Sequence, residues 1–406
     1  MKVAIVVPSI HDGGGVPAVA KYLYDILSIK YQCQLVSVST SLNDSFSIKL
    51  FSPSTWGRGI RVDKSLWEGK EVLNVGAFLT EFESQRYMPR IELTELLNQY
   101  DVVQIVSGAP AWAYLAKNVQ VPVFLQTATL LKEERKKVIE GAKGLRRLYL
   151  QFSTFIGGMI EKKALKVIDV VFVENFWMKE YLAEVLGEHK VLMAPPGVDS
   201  VLFIPKEHNS NQHIDNKYIV SVGRFNDKRK NIHLLFEAYS LMSNLNDNTP
   251  LLFLAGLSGP SEEDWLYADR LNIRENIRFK KDILDDELVT LLQNAEFFVC
   301  SSDEEGFGIA MIEALSCGIP VISTRCGGPE TFMRHGINGY LVENNNATEL
   351  AERMNELSIN DNLRFKMGLT ARKIVEDEFS NNATSRVFLN KYEEIAVNLN
   401  TSKEYL

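Results

Sequence analysis

Residues 303–330, DEEGFGIAMIEALSCGIPVISTRCGGPE, restrict the possible folds more than any other stretch of the chain. FFVCS at 297–301 precedes them, a short apolar run of the kind that forms a strand buried on both faces of a parallel sheet. The glycine-bearing loop 305–308 follows, and behind it Ile309, Ile312, Ala314 and Leu315 make one apolar stripe at helical spacing. A second strand and a second glycine loop complete the unit. The order strand, glycine loop, helix puts the loop at the C-terminal edge of a sheet, facing a helix N-terminus. Open α/β sheets bind ligands there, and the free helix N–H groups favour anions. Glu305 and Glu313 lie eight residues apart, one in the loop and one in the helix. A carboxylate only accepts hydrogen bonds, which suits a ligand rich in hydroxyls such as a sugar or a ribose diol. Taken alone, the pattern also describes an ordinary crossover with two solvated glutamates.

The chain has 406 residues, enough for two domains. Its 46% hydrophobic and 24% charged residues are a globular composition able to fill sizeable cores. A formal net charge of −8 argues against a nucleic-acid binder, so no nucleic-acid partner is expected. Cys33, Cys300, Cys317 and Cys326 have no C-x-x-C spacing and read as reduced core thiols. The six histidines are scattered, so no metal site is expected. The N-terminus turns polar after six apolar residues from Val3, which reads as a first strand and not as a signal peptide. No window approaches the roughly 18 apolar residues of a membrane span, and the expected location is the cytoplasm.

Apolar runs and glycine turns alternate along the whole chain. Residues 3–7 read as a strand, 13–15 as a glycine turn, and Val19, Tyr22, Leu23, Ile26 and Leu27 as an amphipathic helix, which opens a Rossmann-like half. The glycines do not spell G-x-G-x-x-G, which weakens a nicotinamide reading. Further strands are expected at 35–38, 102–106, 121–125, 170–173 and 191–193, with helices at 112–115 and 177–186 and an irregular edge over 41–74. The polar tract 206–217 reads as a linker. The pattern then restarts with strands at 218–222, 251–255 and 277–279, a helix at 286–292, and a strand at 340–342 after the central motif; three helical stretches follow, the last over 384–399.

EGFGIAMIEALSCGIPVI closely resembles the E-x7-E signature of the retaining glycosyltransferases of the GT-B fold, family four, the group 1 glycosyltransferases. Both glutamates, both glycines, the aromatic between them and the following G-x-P-V fall in register. APPGVDSVLFIP at 194–205 resembles the segment that leads out of the first domain in that family, and Gly223-Arg224 with Lys230-Asn231 resembles its G-R…K-N element. The resemblance implies an α/β protein of two Rossmann-like domains facing each other across a cleft. An acceptor domain would span 1–205 together with a C-terminal helix, 384–406, that crosses back to it; a nucleotide-sugar domain would span 206–383.

It also implies roles. Arg224 and Lys230 would grip the donor diphosphate, with Lys228 or Arg229 as competitors. Glu305 would hold hydroxyls of the donor sugar and Glu313 the ribose. The amides around Gly306, Phe307, Gly308 and Ile309 would meet the phosphates; Gly14 and Gly15 would approach the donor phosphates and the acceptor, unless a tight turn alone explains them. Asp282 and Ile283 would border the base, read largely through backbone, so that UDP- and GDP-sugars both stay open as donors. Preorganised cations and helix amides stabilise the charge that develops on a departing diphosphate, which makes neither a metal nor a cofactor obligatory. The implied reaction moves a hexose to a glycan or lipid-linked acceptor, as in surface polysaccharide or glycoconjugate synthesis.

One position departs from the family. Where a histidine often follows the strand at 121–125, this chain has Ala128, flanked by Gln126, Thr127 and Thr129, none of them a base at neutral pH. Either the donor phosphate takes the proton, or His11 substitutes, or the chain is a catalytically silent glycan-binding partner. A GT-B epimerase is disfavoured by the two in-register motifs. Separately, 132–166 holds ten Lys or Arg and four Glu, a local net charge of +6. Within it Leu145, Leu148, Phe152, Phe155, Ile156 and Ile160 recur at helical spacing, which describes either a helix packed on its domain or one lying on an anionic membrane surface.

Overall fold

The computed structural model describes residues 1–12, 14–40, 44–206, 217–246 and 248–404. The expected linker therefore falls almost wholly outside the described residues, as does Gly13 of the first glycine turn. The chain divides into two compact units, Met1–Pro196 with Ser385–Leu406, and Gly197–Thr384.

In the first unit eight strands form one sheet: β1 (Lys2–Pro8), β2 (Gln32–Val38), β3 (Val62–Trp67), β4 (Lys70–Val75), β5 (Val102–Val106), β6 (Val123–Thr127), β7 (Val170–Val173) and β8 (Val191–Met193), in the order β3-β4-β2-β1-β5-β6-β7-β8. All neighbours pair in parallel except the β3–β4 hairpin at one edge. Central strands of a sheet covered on both faces must be apolar on both, and Val3, Ala4, Ile5, Val6 and Val7 of β1 are wholly buried. The irregular edge expected over 41–74 contains this hairpin and a short 3-10 turn, Pro53–Arg58. The helix expected at 112–115 is a 3-10 turn, Pro110–Ala116, and β6 begins two residues later than its apolar run because Pro122 has no N–H for the ladder.

The last helix, Asn381–Glu404, starts before its expected boundary and seats two aromatics in the first unit. Phe388 lies 4.6 Å from Phe172 and 5.9 Å from Tyr22, ring centre to ring centre; Tyr392 lies 5.3 Å from Phe124 and donates its hydroxyl to Gln104 at 2.8 Å. Fully burying such rings is worth about 1.5–3 kcal/mol each, so the helix is an integral part of that unit.

The second unit is a six-stranded, wholly parallel sheet of β9 (Tyr218–Arg224), β10 (Leu251–Ser258), β11 (Ile277–Lys281), β12 (Phe298–Cys300), β13 (Val321–Thr324) and β14 (Gly339–Val342), in the order β11-β10-β9-β12-β13-β14. Alternate residues feed two cores: Val220, Phe298 and Val321 face one side, Ile219, Val299 and Ile322 the other. The unit begins at Gly197, nine residues before the expected boundary at 206. Val198 and Phe203 are buried in one of its cores, and Arg372 donates to the carbonyls of Phe203 (2.7 Å) and Ser200 (2.8 Å), which fastens this segment to the second sheet. Among the described residues no helix is long and apolar enough to cross a membrane.

Candidate active site

From β9 the second sheet grows one way, to β10 and β11; from β12 it grows the other, to β13 and β14. The loops leaving β9 and β12 therefore splay apart at the C-terminal ends of adjacent strands, the position at which open α/β sheets take ligands. Backbone and side-chain bonds tie these loops together. Asp303 N–H donates to Arg229 O (2.7 Å), Ser301 Oγ donates to Lys230 O (2.9 Å), and Asn231 Nδ2 donates to Asp303 Oδ1 (3.1 Å). Asn231 has a left-handed backbone (φ 45°) and its side chain caps the helix Ile232–Leu245, so one residue turns the loop, starts the helix and holds its neighbour.

Lys230 Nζ meets Glu305 Oε1 at 2.5 Å. Ser302 Oγ donates to the same oxygen at 2.6 Å, and Cys300 Sγ lies 3.9 Å from it. All these donors converge on Oε1, and among the described residues no donor reaches Oε2. The carboxylate is thus anchored by one oxygen and offers the other. Burial works to raise the Glu305 pKa, but Lys230, Ser302 and Arg229 outweigh it and hold the value below the ordinary carboxylate range. Burial likewise works to lower that of Lys230, and Glu305 outweighs it, leaving the ammonium pKa raised. Both shifts have the same sign of consequence: the pair is ionised throughout the neutral range. With 15% of its side chain exposed, Glu305 is a partly buried, anchored group at the sheet edge.

The competing cations separate cleanly. Arg229 is held by Asp227 (2.7 Å) and Glu304 (2.8 Å), whereas Lys228 and Arg224 are exposed. Arg224 ends β9, and no ion pair of its guanidinium occurs among the described residues. Gly223 lets Lys230 approach, its α-carbon position lying where a Cβ would stand 3.3 Å from Lys230 Cε. Gly256 of β10 has φ +153°, and a Cβ there would fall 1.9 Å from Gly223 O. This close approach shapes the whole Gly223–Lys230 turn from behind.

Gly308 (φ 103°, ψ 54°) caps the helix Ile309–Ser316, whose first turn of amides opens just after Glu305 in the same loop. The Phe307 ring is buried against Phe332 (5.2 Å) and Phe379 (6.4 Å), so Phe307 offers a ligand its backbone alone; Ile309 likewise leans on the core. Gly306 lies between these residues in the same loop. Glu313, one turn into the helix, is half-buried, and burial, then the charge of Asp285, push its pKa up to about 8. Asp282, in a left-handed conformation (φ 52°), is exposed at the end of β11, and Ile283 beside it packs against the core that holds Phe307 and Met311. The second unit thus gathers Arg224, Lys230, Glu305, the 306–309 amides and Glu313 around one sheet edge.

The remaining candidates belong to the first unit. Gly14 (φ 95°) caps the helix Gly15–Leu27, and both glycines are exposed. His11 is exposed and its Nε2 lies 3.2 Å from Ser65 Oγ on β3. Ala128 is buried; its carbonyl accepts from Asn175 Nδ2 at 2.7 Å. Thr127 Oγ1 donates to Gly108 O (2.8 Å), and Thr129 Oγ1 is buried without a partner. Gln126 is inside the sheet and donates to Glu174 Oε1 at 3.1 Å. Glu174 was missed from the sequence. It follows β7 directly, is 6% exposed, and burial, opposed by Gln126, pushes its pKa up to about 7. The sequence signal was available: an acidic residue abutting the apolar run VVFV. Cys300, Cys317 and Cys326 are buried free thiols, and Cys33 is half-buried. No cluster of metal-ligating side chains occurs among the described residues.

Residues 203–374, nearly all of the second unit, match the family model of the glycosyl transferases group 1. The likeness to that family is carried by the second unit. A probable sucrose-phosphate synthase of Thermosipho melanesiensis is 27% identical over 354 residues, 82% of this chain and 79% of that protein. The capsular polysaccharide biosynthesis glycosyltransferase CapM of Staphylococcus aureus is 27% identical over 56% of this chain and 62% of its own length. Among solved structures, sucrose-phosphate synthase from Thermosynechococcus elongatus superimposes with a TM-score of 0.70 at 19% identity, covering 98% of this chain and all of that one. Anabaena HepE, solved in complex with UDP-glucose, superimposes with a TM-score of 0.70 at 15% identity over 99% of this chain and all of its own. The fold is GT-B, built from two Rossmann-like units.

Proposed function

We propose that the chain is a retaining glycosyltransferase that moves a hexose from a UDP- or GDP-sugar to a glycan or lipid-linked acceptor, without a metal, on the cytoplasmic side of the cell. The observation that carries this reading is the anchored Glu305, whose Oε2 is left to accept from a ligand hydroxyl beside the Lys230 ammonium. Lys230 has three N–H donors and commits one to Glu305, which leaves two for a diphosphate. Arg224 adds an exposed cation with no ion pair among the described residues, and the amides behind Gly308 add a helix N-terminus. Together they put positive potential where a leaving diphosphate gains charge, and such groups need no rearrangement during the reaction. In this reading Glu313 accepts from the ribose hydroxyls, and the departing phosphate oxygen takes the acceptor's proton on the face it leaves, preserving anomeric configuration. HepE, with UDP-glucose bound, supports a nucleotide-sugar donor. CapM and the lipopolysaccharide core glycosyltransferase LpsE of Rhizobium meliloti support a role in surface polysaccharide synthesis.

The test is release of nucleoside diphosphate from a panel of UDP- and GDP-sugars, with and without acceptor, in the presence of chelator. Product anomers read by NMR decide retention. Strict dependence on an added divalent metal, or an inverted product, overturns the mechanism. A second reading is favoured by Ala128, which puts a buried methyl where relatives of this family often carry a histidine: a silent partner that binds a glycan or another transferase. Donor binding without turnover on any acceptor would select it.

A further inference from the structure

The helix Gly144–Ala164 turns two unlike faces outward and inward. Gly157, Ile160, Glu161 and Ala164 bury one side of its second half. On the other side Leu145, Leu148, Phe152, Phe155 and Met159 are 85%, 62%, 63%, 65% and 46% exposed. Steps of three and four residues align these five on one stripe, and Tyr149 widens it. A helix that packed on its unit through its whole apolar face would hide these side chains; this one hides Ile160 with a glycine, an alanine and a glutamate, and leaves its leucines and phenylalanines in water. Such a patch marks a docking surface.

The charge around the stripe identifies the occupant. Lys143, Arg146 and Arg147 stand at its N-terminal end and Lys162, Lys163 and Lys166 at its C-terminal end, all exposed, and none forms an ion pair among the described residues. Lys132 and Lys136 are exposed on the preceding helix, Leu131–Gly141. The segment 132–166 carries +6 within a chain of −8. A second copy of the chain would set this basic surface against itself. An anionic bilayer meets both demands at once, taking the stripe about 5–10 Å into its headgroup boundary while its phosphates face the flanking cations. The surface is also rigidly held. Glu161 Oε2 accepts from Leu131 N–H at 3.1 Å, a Cβ on Gly157 would strike Leu131, and Glu83 takes both the Arg135 ion pair and the Ser153 hydroxyl.

We infer that the helix Gly144–Ala164, with its flanking lysines and arginines, is a reversible docking surface for anionic lipid bilayers. The inference rests on this helix alone, so it stands or falls apart from the donor chemistry proposed above.

Sedimentation of the full chain with vesicles tests it, using phosphatidylcholine alone and phosphatidylcholine mixed with phosphatidylglycerol. Binding is expected only to the mixed vesicles, and should be lost at about 1 M salt, where the screening length falls to about 3 Å. Each basic residue removed should cut partitioning roughly fivefold. A Lys143→Glu, Arg146→Glu, Arg147→Glu, Lys163→Glu variant should therefore lose at least a hundredfold, and a Leu148→Ser, Phe152→Ser, Phe155→Ser variant at least tenfold. Thermal melting at the wild-type temperature shows that both variants are folded. As a second readout, an environment-sensitive dye on Phe152→Cys should shift to the blue with mixed vesicles. Equal recovery in the supernatant with both vesicle types overturns the inference. So does variant binding at the wild-type level, and so does self-association by ultracentrifugation that the serine variant abolishes while vesicle binding is absent.

Discussion

Replacing Glu305 by glutamine separates the two jobs that the site gives this side chain. Its Oε1 accepts from Lys230 at 2.5 Å and from Ser302 at 2.6 Å, and both donors demand an oxygen. A glutamine therefore keeps its amide oxygen there and places its NH2 where Oε2 stands, which replaces an acceptor by a donor on the ligand side. Removing one member of a buried ion pair outright costs about 3–5 kcal/mol. Here Lys230 and Glu305 retain 21% and 15% of their side-chain exposure and the bond to Ser302 survives, so the stability cost should be only about 1–2 kcal/mol. For a unit of this size that is a fall of roughly 2–8 °C in melting temperature. Losing a charge-assisted bond to a donor-sugar hydroxyl costs about 1.5–3 kcal/mol, or about ten- to a hundredfold in kcat/KM. Glu305→Ala, which strips Lys230 of its partner, should fall by the larger figure in stability as well. Calorimetric melting beside initial rates of nucleotide release reads both effects. Wild-type turnover in Glu305→Gln, or an equal loss of stability in the glutamine and alanine variants, would refute this account of the two oxygens.

Four further outcomes follow from the same geometry. Arg224→Ala removes an exposed cation without an ion pair, so melting should be unchanged while nucleotide release slows about ten- to a hundredfold. Ribose hydroxyls bonding to Glu313 favour its charged form and lower a pKa that stands at about 8, so titration with UDP or GDP near pH 7 should release a proton, seen as a binding heat that varies with buffer; Glu313→Gln should abolish that variation. Glu174 prefers its neutral form when folded, so the penalty is absent at pH 4 and grows as pH rises from 4.5 through about 7; on the order of 3 kcal/mol is then recovered by Glu174→Gln, which should melt several degrees above wild type at pH 8 and level with it at pH 4. Gly256→Ala should cost more than 2 kcal/mol and weaken nucleotide binding together, because its methyl would collide with Gly223 O; intact binding in a destabilised protein would uncouple that turn from the site.

The sheets were legible because a strand covered on both faces must be apolar throughout, and the runs at 102–106, 170–173 and 191–193 reappear as β5, β7 and β8 with the same limits. Limits slipped where a backbone group outweighed side-chain polarity: Pro122 delays β6, and the bonds from Arg372 to Ser200 and Phe203 draw 197–205 into the second unit. The motif located the glycine loop at the C-terminal edge of the second sheet, since a glycine loop between a buried strand and a helix has one place to go in an open sheet. The local sequence did not disclose the division of labour around it. Lys228, Arg229 and Lys230 are adjacent and chemically alike, and only partners 75 residues further on, Glu304 and Glu305, decide that Arg229 is spent on structure and Lys230 is aimed at the carboxylate.

The same limit governs the apolar residues. Phe307 lies in a glycine loop and Phe155 in a stripe at helical spacing, and nothing within either stretch says which of the two is buried. Phe307 is buried because Phe332 and Phe379, from later in the chain, close over it. Phe155 stays exposed because Leu131 and Glu161 already define the contact between its helix and the one before, and that contact needs a glycine, not a ring, at Gly157. A hydrophobic stripe in the sequence therefore states that a surface will be covered; whether the protein itself covers it is fixed by residues elsewhere, and on the helix Gly144–Ala164 those residues sit on the opposite face.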